Sequence, residues 1–342
     1  MNMDANRHRK QELFTGLGPE GQAALGRASV LVAGCGALGG TIALLLVRAG
    51  VGRVRVVDRD FPELGNLGRQ LLFTEKDLET GLPKAVLAEQ ALRAMNSEVK
   101  VEGVVAHIGP DNVLGLCEGM DLILDGLDNQ ETRYLLNDAA VQTGLPWIYA
   151  GCIGAAGNVM VIRPGLTPCL RCLFPEPAPP GTLPTCDTTG IIGPAASLTA
   201  SVVTTEALKL LSGRQPARSG ILSFDLWFGA IREMPLSEGS RENCPCCQGR
   251  RFDFLTGDRG GRTESMCGVD AVQVSAPKGV KVDLELLAGR LDPASVVSWN
   301  KYLLRFTAEG YYLAVFPDGR AIVHGTADHA TARGVVNRWL GT

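Results

Sequence analysis

Residues 29–50 read SVLVAGCGALGGTIALLLVRAG and indicate a strand, a glycine turn and a helix in succession. The first five residues form a continuous apolar run, which predicts a strand. Apolar residues then recur at helical spacing through 37–50. A second apolar run, RVRVVD at 53–58, predicts a neighbouring parallel strand that ends in Asp58. The chain therefore opens with a strand–helix–strand unit of an α/β fold.

Strands and helices continue to alternate up to about residue 150. The pattern predicts helices at 84–96, 111–118 and 130–143, and strands at 99–106, 121–125 and 147–150. From Gly151 the segment GCIGAAGNVMVIRPG is typical of a hairpin, which would extend the sheet in antiparallel fashion. We therefore expect a Rossmann-like fold with a mixed, largely parallel central sheet.

Two other segments bear on the organisation of the main domain. Residues 62–74 match neither a strand nor a clear helix, and we interpret them as a functional loop. Residues 175–194 are rich in Pro, Thr and Gly and predict a long crossover loop, which a helix at 195–213 follows.

A boundary between domains is predicted near residue 265. Residues 235–266 are polar and glycine-rich and contain a cysteine cluster. After them, short apolar strands alternate with AEG and PDG turns, and a helix follows at about 327–340. We predict a main α/β domain over 1–265 and a small C-terminal α+β domain over 266–342.

Composition excludes several classes of protein. With 342 residues, 45% of them hydrophobic and 20% charged, the chain can bury a large core, so intrinsic disorder is not expected. A net charge of −3 gives no reason to expect a nucleic acid or a membrane surface as partner. The N-terminus has no apolar signal core, and the apolar run IALLLV is too short to span a membrane. We expect a cytoplasmic protein whose ten cysteines are not paired in disulfides, so that their spacing points to metal or catalytic roles.

The turn after the first strand has the pattern Gly34-x-Gly36-x-x-Gly39, and Asp58 follows nineteen residues after the last glycine. Glycines allow the backbone to approach a ligand phosphate at a helix N-terminus, and an acidic residue at this distance can hold ribose hydroxyls. On this motif alone, NAD and ATP are equally good ligands.

A group of charged and amide side chains favours ATP over NAD. The group comprises Asp58, Asp60, Asn66, Arg69, Gln70 and Lys84, and the string DGLDN at 125–129 adds two carboxylates and an amide after an apolar strand. Arg and Lys neutralise phosphate charge and an Asp can hold magnesium between phosphates, as nucleotidyl transfer requires. For Lys84 and Asp60 taken singly, a solvated charged loop is an equally good explanation.

Several long motifs together resemble one known family. GCGALGG, VDRDFPELGNLGRQLLF, LPKAVLAEQ, DGLDN, PCLRCLFPEP, PTCDTTGIIGP and CPCC occur in the order and approximate spacing of the ThiF/MoeB/HesA adenylyltransferases, relatives of ubiquitin-activating enzymes. The resemblance covers about residues 7–250 and is greatest to the long form of ThiF. It implies an enzyme that uses ATP to activate the C-terminal carboxylate of a ubiquitin-like sulfur carrier, of ThiS or MoaD type, as an acyl-adenylate with release of pyrophosphate.

The resemblance also implies roles for individual residues. The nucleotide would be bound by the glycine turn, the two following acidic residues and the loop beyond them: Gly34, Gly36, Ala37, Gly39, Asp58, Asp60, Asn66, Arg69, Gln70 and Lys84. Asp128 would hold magnesium and Asn129 would lie beside the nucleotide. Arg69, Lys84 and Asp128 are the catalytic candidates. No general base is needed, because the attacking carboxylate is already ionised at neutral pH.

One departure from the family concerns the N-terminal segment. Family members commonly read R-Y-x-R-Q there, and the second arginine reaches the ATP phosphates across a homodimer. Here the string is Arg7-His8-Arg9-Lys10-Gln11, with lysine in that place. Lysine neutralises charge but lacks the bidentate fork of arginine, so either Lys10 or the adjacent Arg9 serves as the replacement.

Cysteine spacing predicts a structural zinc site. Cys169-Leu-Arg-Cys172 and Cys244-Pro-Cys246-Cys247 provide the paired ligands of a tetrahedral site with four cysteine ligands, which clamps two distant segments. Cys246 could compete with Cys247, but a two-residue spacer is the commoner geometry, so we assign Cys244 and Cys247. The alternative is a redox pair at 169–172 with an unrelated loop at 244–247.

Cys186 lies apart from this cluster in the Pro/Gly-bounded loop PTCDTTGIIGP, where a thiolate could be reactive. In ThiF-like proteins the matching cysteine can bond covalently to the carrier, so we treat Cys186 as a catalytic candidate, against the alternative of a small buried hydrophobe. A sulfurtransferase or a cysteine desulfurase is a further expected partner.

Two other classes of function compete with adenylyl transfer. The glycine pattern alone is also typical of an NAD-dependent oxidoreductase. A protein that only binds a ubiquitin-like partner, without catalysis, is the second alternative. Stabilisation by NAD but not by ATP with magnesium would indicate the oxidoreductase. Carrier-dependent release of pyrophosphate would exclude the protein that only binds.

Overall fold

The computed structural model describes residues 7–178, 182, 186–213, 220–236, 238–256, 263–265, 270–276 and 280–340. The chain divides into two compact units, Met1–Arg259 and Gly260–Thr342. The domain boundary predicted near residue 265 lies beside residues outside the described part, and it stays a prediction. None of the helices in the described ranges has both the length and the apolar character needed to cross a bilayer.

The first unit is built on one eight-stranded sheet with the order β3-β2-β1-β4-β5-β6-β7-β8. The strands are β1 Ser29–Ala33, β2 Arg53–Asp58, β3 Lys100–Val105, β4 Leu122–Asp125, β5 Trp147–Ile153, β6 Ala156–Ile162, β7 Gly220–Asp225 and β8 Ala230–Pro235. The pairs from β3 to β5 are parallel, and those from β5 to β8 are antiparallel. The predicted mixed, largely parallel sheet is confirmed.

Ten α-helices accompany this sheet within the described residues: α1 Arg9–Glu12, α2 Gly18–Leu25, α3 Ala37–Ala49, α4 Glu75–Glu79, α5 Lys84–Met95, α6 Val113–Cys117, α7 Gln130–Thr143, α8 Leu170–Leu173, α9 Cys186–Thr189 and α10 Gly193–Leu211. The predicted loop at 175–194 therefore includes the short helix α9 and the first two residues of α10. The predicted hairpin after residue 150 is observed as β5 and β6, paired from Trp147 with Ile162 to Ile153 with Ala156.

The apolar run of β1 is buried on both faces of the sheet. Val30 and Val32 belong to one core cluster, which also holds side chains of α3, α5 and α10. Leu31 and Ala33 belong to a second cluster, with side chains of α6 and α7. Alternate residues of a strand point to opposite faces, so a strand covered on both sides is apolar throughout.

The second unit is an antiparallel sheet of six strands in the order β11-β12-β13-β14-β10-β9. The strands are β9 Thr263–Ser265, β10 Ala271–Val274, β11 Val296–Asn300, β12 Leu303–Ala308, β13 Tyr311–Val315 and β14 Ala321–His324, and the helices are α11 Leu284–Ala288 and α12 His329–Leu340. The predicted AEG turn joins β12 to β13, and Glu309 and Gly310 both have positive φ there, 54° and 82°. This unit has its own core, in which Phe306, Leu313 and Val336 are buried.

Candidate functional site

Three adjacent parallel strands end at one edge of the first sheet. β1 lies between β2 and β4: the chain runs from β1 to β2 and β3 on one side, then crosses back from β3 to β4 on the other side of β1. Asp58 is the last residue of β2, and Gly34 and Gly126 directly follow β1 and β4, so these three residues lie close together. Ligands of open α/β sheets bind at such a reversal of strand order, beyond the carboxyl ends of the strands.

Three glycines make the close approach between the first turn, α3 and the loop after β4. Gly34 has φ of +88°, and a Cβ placed there would lie 2.6 Å from the carbonyl oxygen of Gly126. A Cβ on Gly39 would overlap the carbonyl oxygen of Gly34. At Gly36, the residue before α3, such a Cβ would meet just one atom of the described residues beyond its chain neighbours within 4 Å, Nε2 of Gln70 at 3.8 Å. The backbone of the turn thus remains approachable at the N-terminus of α3.

Asp58 connects the end of β2 to this turn. Its Oδ2 accepts a 2.6 Å hydrogen bond from the amide of Cys35, and its Oδ1 accepts one of 2.7 Å from the amide of Asp60. Burial raises the pKa of Asp58 to about 6, and the carboxylate of Asp60 adds to the shift. The lysine at position 84 acts in the opposite direction. Asp58 therefore titrates close to physiological pH.

Lys84 places a buried cation beside these two carboxylates. It is the first residue of α5, its amide donates a 2.8 Å bond to the carbonyl of Asp60, and its Nζ lies 4.0 Å from Oδ2 of Asp60. Only 8% of its side chain is exposed. Burial lowers the pKa of Lys84, but the carboxylates of Asp58 and Asp60 outweigh burial and the net pKa is raised. Lys84 is therefore a fixed positive charge at the site.

The loop between β2 and α4 carries the remaining predicted phosphate contacts. Asn66 ends a 3-10 turn, Leu64–Asn66, and its Oδ1 accepts from the amide of Glu63 at 3.3 Å. Arg69 donates from Nη1 to the carbonyl of Gly65 at 2.8 Å, which holds its guanidinium over this exposed loop. Gln70 is 5% exposed, and its Oε1 has no hydrogen-bond partner among the residues that the structure describes. A buried acceptor with no donor, next to the glycine turn, is suited to a ligand that brings hydroxyl or amino groups.

The two carboxylates of DGLDN have different surroundings. Asp125 is fully buried and accepts from Nε of Arg133 at 3.0 Å and from the amide of Leu127 at 2.9 Å. Burial raises the pKa of Asp125, although the charge of Arg133 opposes the shift. Asp128 is exposed. Of the pair, only Asp128 is therefore available to a ligand.

Arg133 is a structural determinant of the site that sequence reasoning missed. Besides Asp125, its Nη2 donates to the carbonyls of Leu127 at 2.7 Å and Ala150 at 2.8 Å. It thereby fixes the loop between β4 and α7. The sequence signal that could have identified it is an arginine four residues after Asn129, because this spacing places its side chain one helical turn into α7, on the same side as the loop.

Asn129 is the N-cap of α7. Its Oδ1 accepts from the amide of Thr132 at 2.9 Å, and its Nδ2 lies 3.4 Å from Oδ1 of Asp128. An asparagine in this position satisfies one of the free amides of the helix N-terminus. Asn129 therefore also has a structural role beside the one expected at the nucleotide.

Within this chain, Lys10 lies at the other end of α3 from the glycine turn. Its neighbour Gln11 donates from Nε2 to the carbonyl of Ala49, the last residue of α3, at 2.9 Å. A helix of 13 residues is about 18 Å long from its first to its last residue. Lys10 and Arg9 are both exposed on α1. The structure therefore does not bring Lys10 to the other predicted residues within one chain.

The four cysteines predicted as ligands converge. The Sγ atoms of Cys169, Cys172, Cys244 and Cys247 all lie within 4.8 Å of one another. Three of the separations are 3.6, 3.7 and 3.4 Å. Sulfurs of a tetrahedral zinc site with Zn–S bonds of about 2.3 Å are about 3.8 Å apart, so the donor set and its spacing fit Zn²⁺. Cys246 is fully buried, and its Sγ accepts instead from Nδ2 of Asn137 at 3.3 Å.

Cys186 is the first residue of α9, and its side chain lies outside the described part of the structure. The segment that follows α9 is attached to the turn between β5 and β6. The amide of Gly154 donates to the carbonyl of Gly190 at 2.9 Å, and the amide of Ile192 donates to the carbonyl of Gly154 at 3.0 Å. The backbone position of α9 is thus given, whereas the role of the Cys186 thiol stays a prediction.

Comparison with known proteins gives consistent matches for the first unit and for the whole chain. The sequence model of the ThiF family matches residues 8–246. The sulfur carrier protein ThiS adenylyltransferase of Bacillus subtilis is 41% identical over 336 residues, which is 98% of this chain and 99% of that protein. The sulfur carrier protein adenylyltransferase of Thermus thermophilus is 39% identical over 250 residues, 71% of this chain and 91% of that protein.

A solved structure supports the fold independently. The crystal structure of E. coli MccB superposes with a TM-score of 0.62 over 72% of this chain and 73% of that chain. The two sequences are 20% identical. At this identity the likeness bears on the fold alone.

Proposed function

The chain belongs to the ThiF family, and from this premise we propose that it is an adenylyltransferase of a ubiquitin-like sulfur carrier protein. It uses ATP to convert the C-terminal carboxylate of the carrier into an acyl-adenylate and releases pyrophosphate. The observation that carries this proposal is the cluster at the edge of the first sheet, where buried Lys84 lies beside Asp58 and Asp60 and next to the glycine turn.

The cluster supports a mechanism based on positioning and charge. The carrier carboxylate and the α-phosphate are both anionic, so attack requires neighbouring cations. Lys84 provides one cation in a poorly solvated place, and Arg69 provides a second on the exposed loop. The nucleophile is already ionised, so no side chain has to remove a proton from it.

The adenosine end of ATP matches the polar groups around the glycine turn. The ionised Asp58 can accept from ribose hydroxyls with the lone pairs that its two amide donors leave free. The Oε1 of Gln70 accepts no bond within the described part of the chain, lies nearby and can accept from a further ligand group. These acceptors, together with the approachable backbone at Gly36 and Ala37, support nucleotide binding here.

We assign magnesium to Asp128, the exposed carboxylate of the DGLDN loop. Magnesium binds through one or two carboxylates together with substrate phosphates, and it neutralises phosphate charge when bound. Asn129 and Arg133 hold the loop that carries Asp128. The role of these two residues is to fix the position of that carboxylate.

A carrier of the ThiS type is the first choice of substrate. The relative matched over 98% of this chain is named for ThiS, and the chain includes the C-terminal unit over which that match extends. Carriers of the MoaD type, and carriers that serve tRNA thiolation or a natural product, undergo the same chemistry and remain the alternatives. Intact-mass analysis of each candidate carrier after incubation with protein and Mg·ATP identifies the one that gains an adenylyl group.

The turn and edge strand beyond β7 support a protein partner. Trp227 and Phe228 are 75% and 82% exposed in the turn before β8, and Ile231 on β8 is 71% exposed. β8 is the last strand of the sheet, so it can accept an added strand or an apolar surface. We propose this edge as the docking surface for the carrier. Ile231→Arg should raise the carrier KM in pyrophosphate exchange, while the KM for ATP is retained.

We further propose a homodimer, because Lys10 and Arg9 lie far from the glycine turn of their own chain. In a dimer one of the two cations would reach the phosphates at the partner's site. Mixing Lys84→Met protein with Lys10→Met/Arg9→Met protein should restore exchange, since each mixed dimer has one intact site. Sedimentation analysis gives the oligomeric state independently.

Zinc, sulfur transfer and location complete the proposal. Zn²⁺ bound by Cys169, Cys172, Cys244 and Cys247 would join two distant segments. Cys186 would capture the carrier after sulfur arrives from a sulfurtransferase or a cysteine desulfurase. We place the enzyme in the cytoplasm, because a reducing compartment keeps cysteines available for metal binding and catalysis.

The NAD-dependent alternative is tested by ligand-induced stabilisation. A ligand that binds only the folded state raises the melting temperature. We expect stabilisation by Mg·ATP and none by NAD. The opposite result would assign the site to an oxidoreductase. A binding protein without catalysis would show stabilisation by the carrier but no exchange of pyrophosphate.

A further inference from the structure

We propose that helix α7 transmits the position of the cysteine cluster to the nucleotide site, with Asn137 as the positioning residue. The inference rests on the proposed function, because it takes Asp128 as the magnesium ligand. According to this inference, the cysteine cluster of Cys169, Cys172, Cys244 and Cys247 helps to set the affinity for magnesium, in addition to stabilising the fold.

The first turn of α7 is attached to the nucleotide site. Asn129 caps the helix and directly follows Asp128. Arg133 binds the buried carboxylate of Asp125 and the carbonyls of Leu127 and Ala150. The loop that bears Asp128 is therefore fixed to α7 at both its beginning and its end.

One helical turn further along, α7 is attached to the cysteine cluster. Asn137 is fully buried. Its Oδ1 accepts from the amide of Leu170 at 2.9 Å, and Leu170 lies between the ligands Cys169 and Cys172. Its Nδ2 lies 3.3 Å from Sγ of Cys246, which lies between the ligands Cys244 and Cys247. One side chain thus contacts both segments that supply the zinc ligands.

The adjacent Asp138 strengthens this attachment. It is fully buried, and its Oδ2 accepts from the amide of Phe254 at 3.0 Å. Arg171, between the two ligands of the first pair, lies 3.7 Å from Oδ1 of Asp138 and 3.0 Å from Oδ2 of Asp253. The segments around the cysteine cluster therefore hold α7 through two successive buried residues, Asn137 and Asp138.

The two attachments belong to one rigid element. Arg133 and Asn137 are four residues apart, so they lie on the same face of the helix. Asn137 is eight residues from Asn129, or about 12 Å along the helix axis. A hydrogen-bonded helix moves as a body over this length, so loss of the Asn137 bonds shifts or loosens Asn129 and the adjoining Asp128.

The test compares Asn137→Ala with Asn96→Ala. Asn96 is also a buried asparagine, 1% exposed, that donates to the carbonyl of Val47 and accepts from the amide of Glu98. It follows the last residue of α5 and has no contact with α7 or the cysteines among its described bonds. The two variants lose comparable hydrogen bonds, so a general loss of stability affects both.

The first measurement is the magnesium dependence of pyrophosphate exchange at saturating ATP. We expect Asn137→Ala to keep its zinc and to need on the order of tenfold more Mg²⁺ for half-maximal rate, with the maximal rate much less changed, since the carboxylate is displaced but present. Asn96→Ala should match wild type. Equal half-saturating Mg²⁺ in Asn137→Ala and Asn96→Ala would overturn the inference.

The second measurement does not depend on activity. The amides of Leu127 and Thr132 donate to Asp125 and Asn129, so their hydrogen exchange reports on the loop and the first turn of α7. We expect faster exchange at both amides in Asn137→Ala than in Asn96→Ala, and the same effect in wild type when a chelator removes zinc. Unchanged exchange at both amides would contradict the coupling.

Two further variants keep the outcomes distinguishable. Asp128→Asn tests the proposed function itself. If it retains wild-type exchange, the magnesium assignment fails. If it is inactive and Asn137→Ala shows no effect, only the coupling fails.

Should Asn137→Ala lose zinc, Cys246→Ala removes the Nδ2 bond and leaves the four ligands in place. It should then show the same two effects, to a smaller extent, and their absence would reject the coupling.

Discussion

The amide of Cys35 donates a 2.6 Å hydrogen bond to Oδ2 of Asp58, so the carboxylate at the end of β2 holds the glycine turn after β1. The same carboxylate accepts from the amide of Asp60, and burial raises its pKa to about 6. Its ionisation state therefore decides whether the turn presents a full acceptor to a ribose.

The first prediction concerns pH. Above about pH 6 Asp58 is ionised and accepts from ribose hydroxyls, and below it the added proton removes acceptor capacity. ATP affinity should therefore fall as the pH is lowered, by about tenfold at pH 5. Calorimetric titration at about pH 5 to 8 measures this across the ionisation of the carboxyl group. Asp58→Asn should bind weakly and lose the part of the inflection that Asp58 contributes, so the difference between the two pH profiles separates Asp58 from titration of the ATP phosphates.

The second prediction concerns charge at the α-phosphate. Arg69→Ala and Asp128→Asn should each reduce carrier-dependent pyrophosphate exchange by on the order of a hundredfold or more, since each removes charge stabilisation from the transition state. Both residues are on exposed segments, so the fold should be retained. Arg48→Ala, an exposed arginine on α3, is the control and should exchange normally. Near-normal exchange in both site variants would refute the assignment.

The third prediction concerns zinc. Native protein should contain about one Zn²⁺ per chain, and Cys172→Ser or Cys247→Ser should lose it and melt at a lower temperature, because the link between distant segments is broken. Cys246→Ser is the matched control and should keep its zinc, since a hydroxyl still accepts from Asn137. Zinc loss from Cys246→Ser but not from Cys247→Ser would reverse the ligand assignment.

The fourth prediction concerns the buried ion pair under the DGLDN loop. Arg133→Met leaves the carboxylate of Asp125 buried without its partner, which should cost about 3–5 kcal/mol of unfolding free energy. Urea denaturation measures the loss. The double variant Asp125→Asn/Arg133→Met should recover part of it, because no uncompensated charge remains. If the double variant is as unstable as the sum of the two single variants, the pair is not coupled.

The fifth prediction separates adenylation from sulfur handling. Cys186→Ala should leave pyrophosphate exchange nearly unchanged, because adenylation needs only ATP, magnesium and a carboxylate. Wild type mixed with thiocarboxylated carrier and a mild thiol oxidant should form a reductant-sensitive adduct, detectable by mass. The adduct should be absent in Cys186→Ala and present in Cys152→Ala. An adduct that persists in Cys186→Ala would mean that another thiol captures the carrier.

The sequence predicted those helices and strands in which buried apolar residues recur at a regular spacing. β1, β2 and α7 were predicted with the bounds that the structure shows, because burial imposes the pattern on their side chains. β7 and β8 were not predicted. β8 is an edge strand whose side chains are mostly exposed, so its residues carry no core pattern and its conformation depends on pairing with β7.

The candidate site was predictable as a set of residues but not as an arrangement. The string DGLDN by itself does not distinguish Asp125 from Asp128, and only the family resemblance singled out Asp128. The structure supplies the physical reason, since Arg133 pairs with Asp125 and Asp128 is exposed. Asn137 was overlooked for the same reason, since its partners Leu170 and Cys246 are 33 and 109 residues away. Contacts between distant segments have no local signature in the chain.

The backbone contact among Gly34, Gly39 and Gly126 limits which substitutions the sequence can accept at these positions. The three belong to a turn, a helix and a loop, and a methyl group on any one of them would press on another of the three. Replacing a second glycine does not relieve the strain caused by the first, so no second substitution among these three glycines can compensate for the first. The junction of strand, helix and loop therefore requires glycine at all three positions at once.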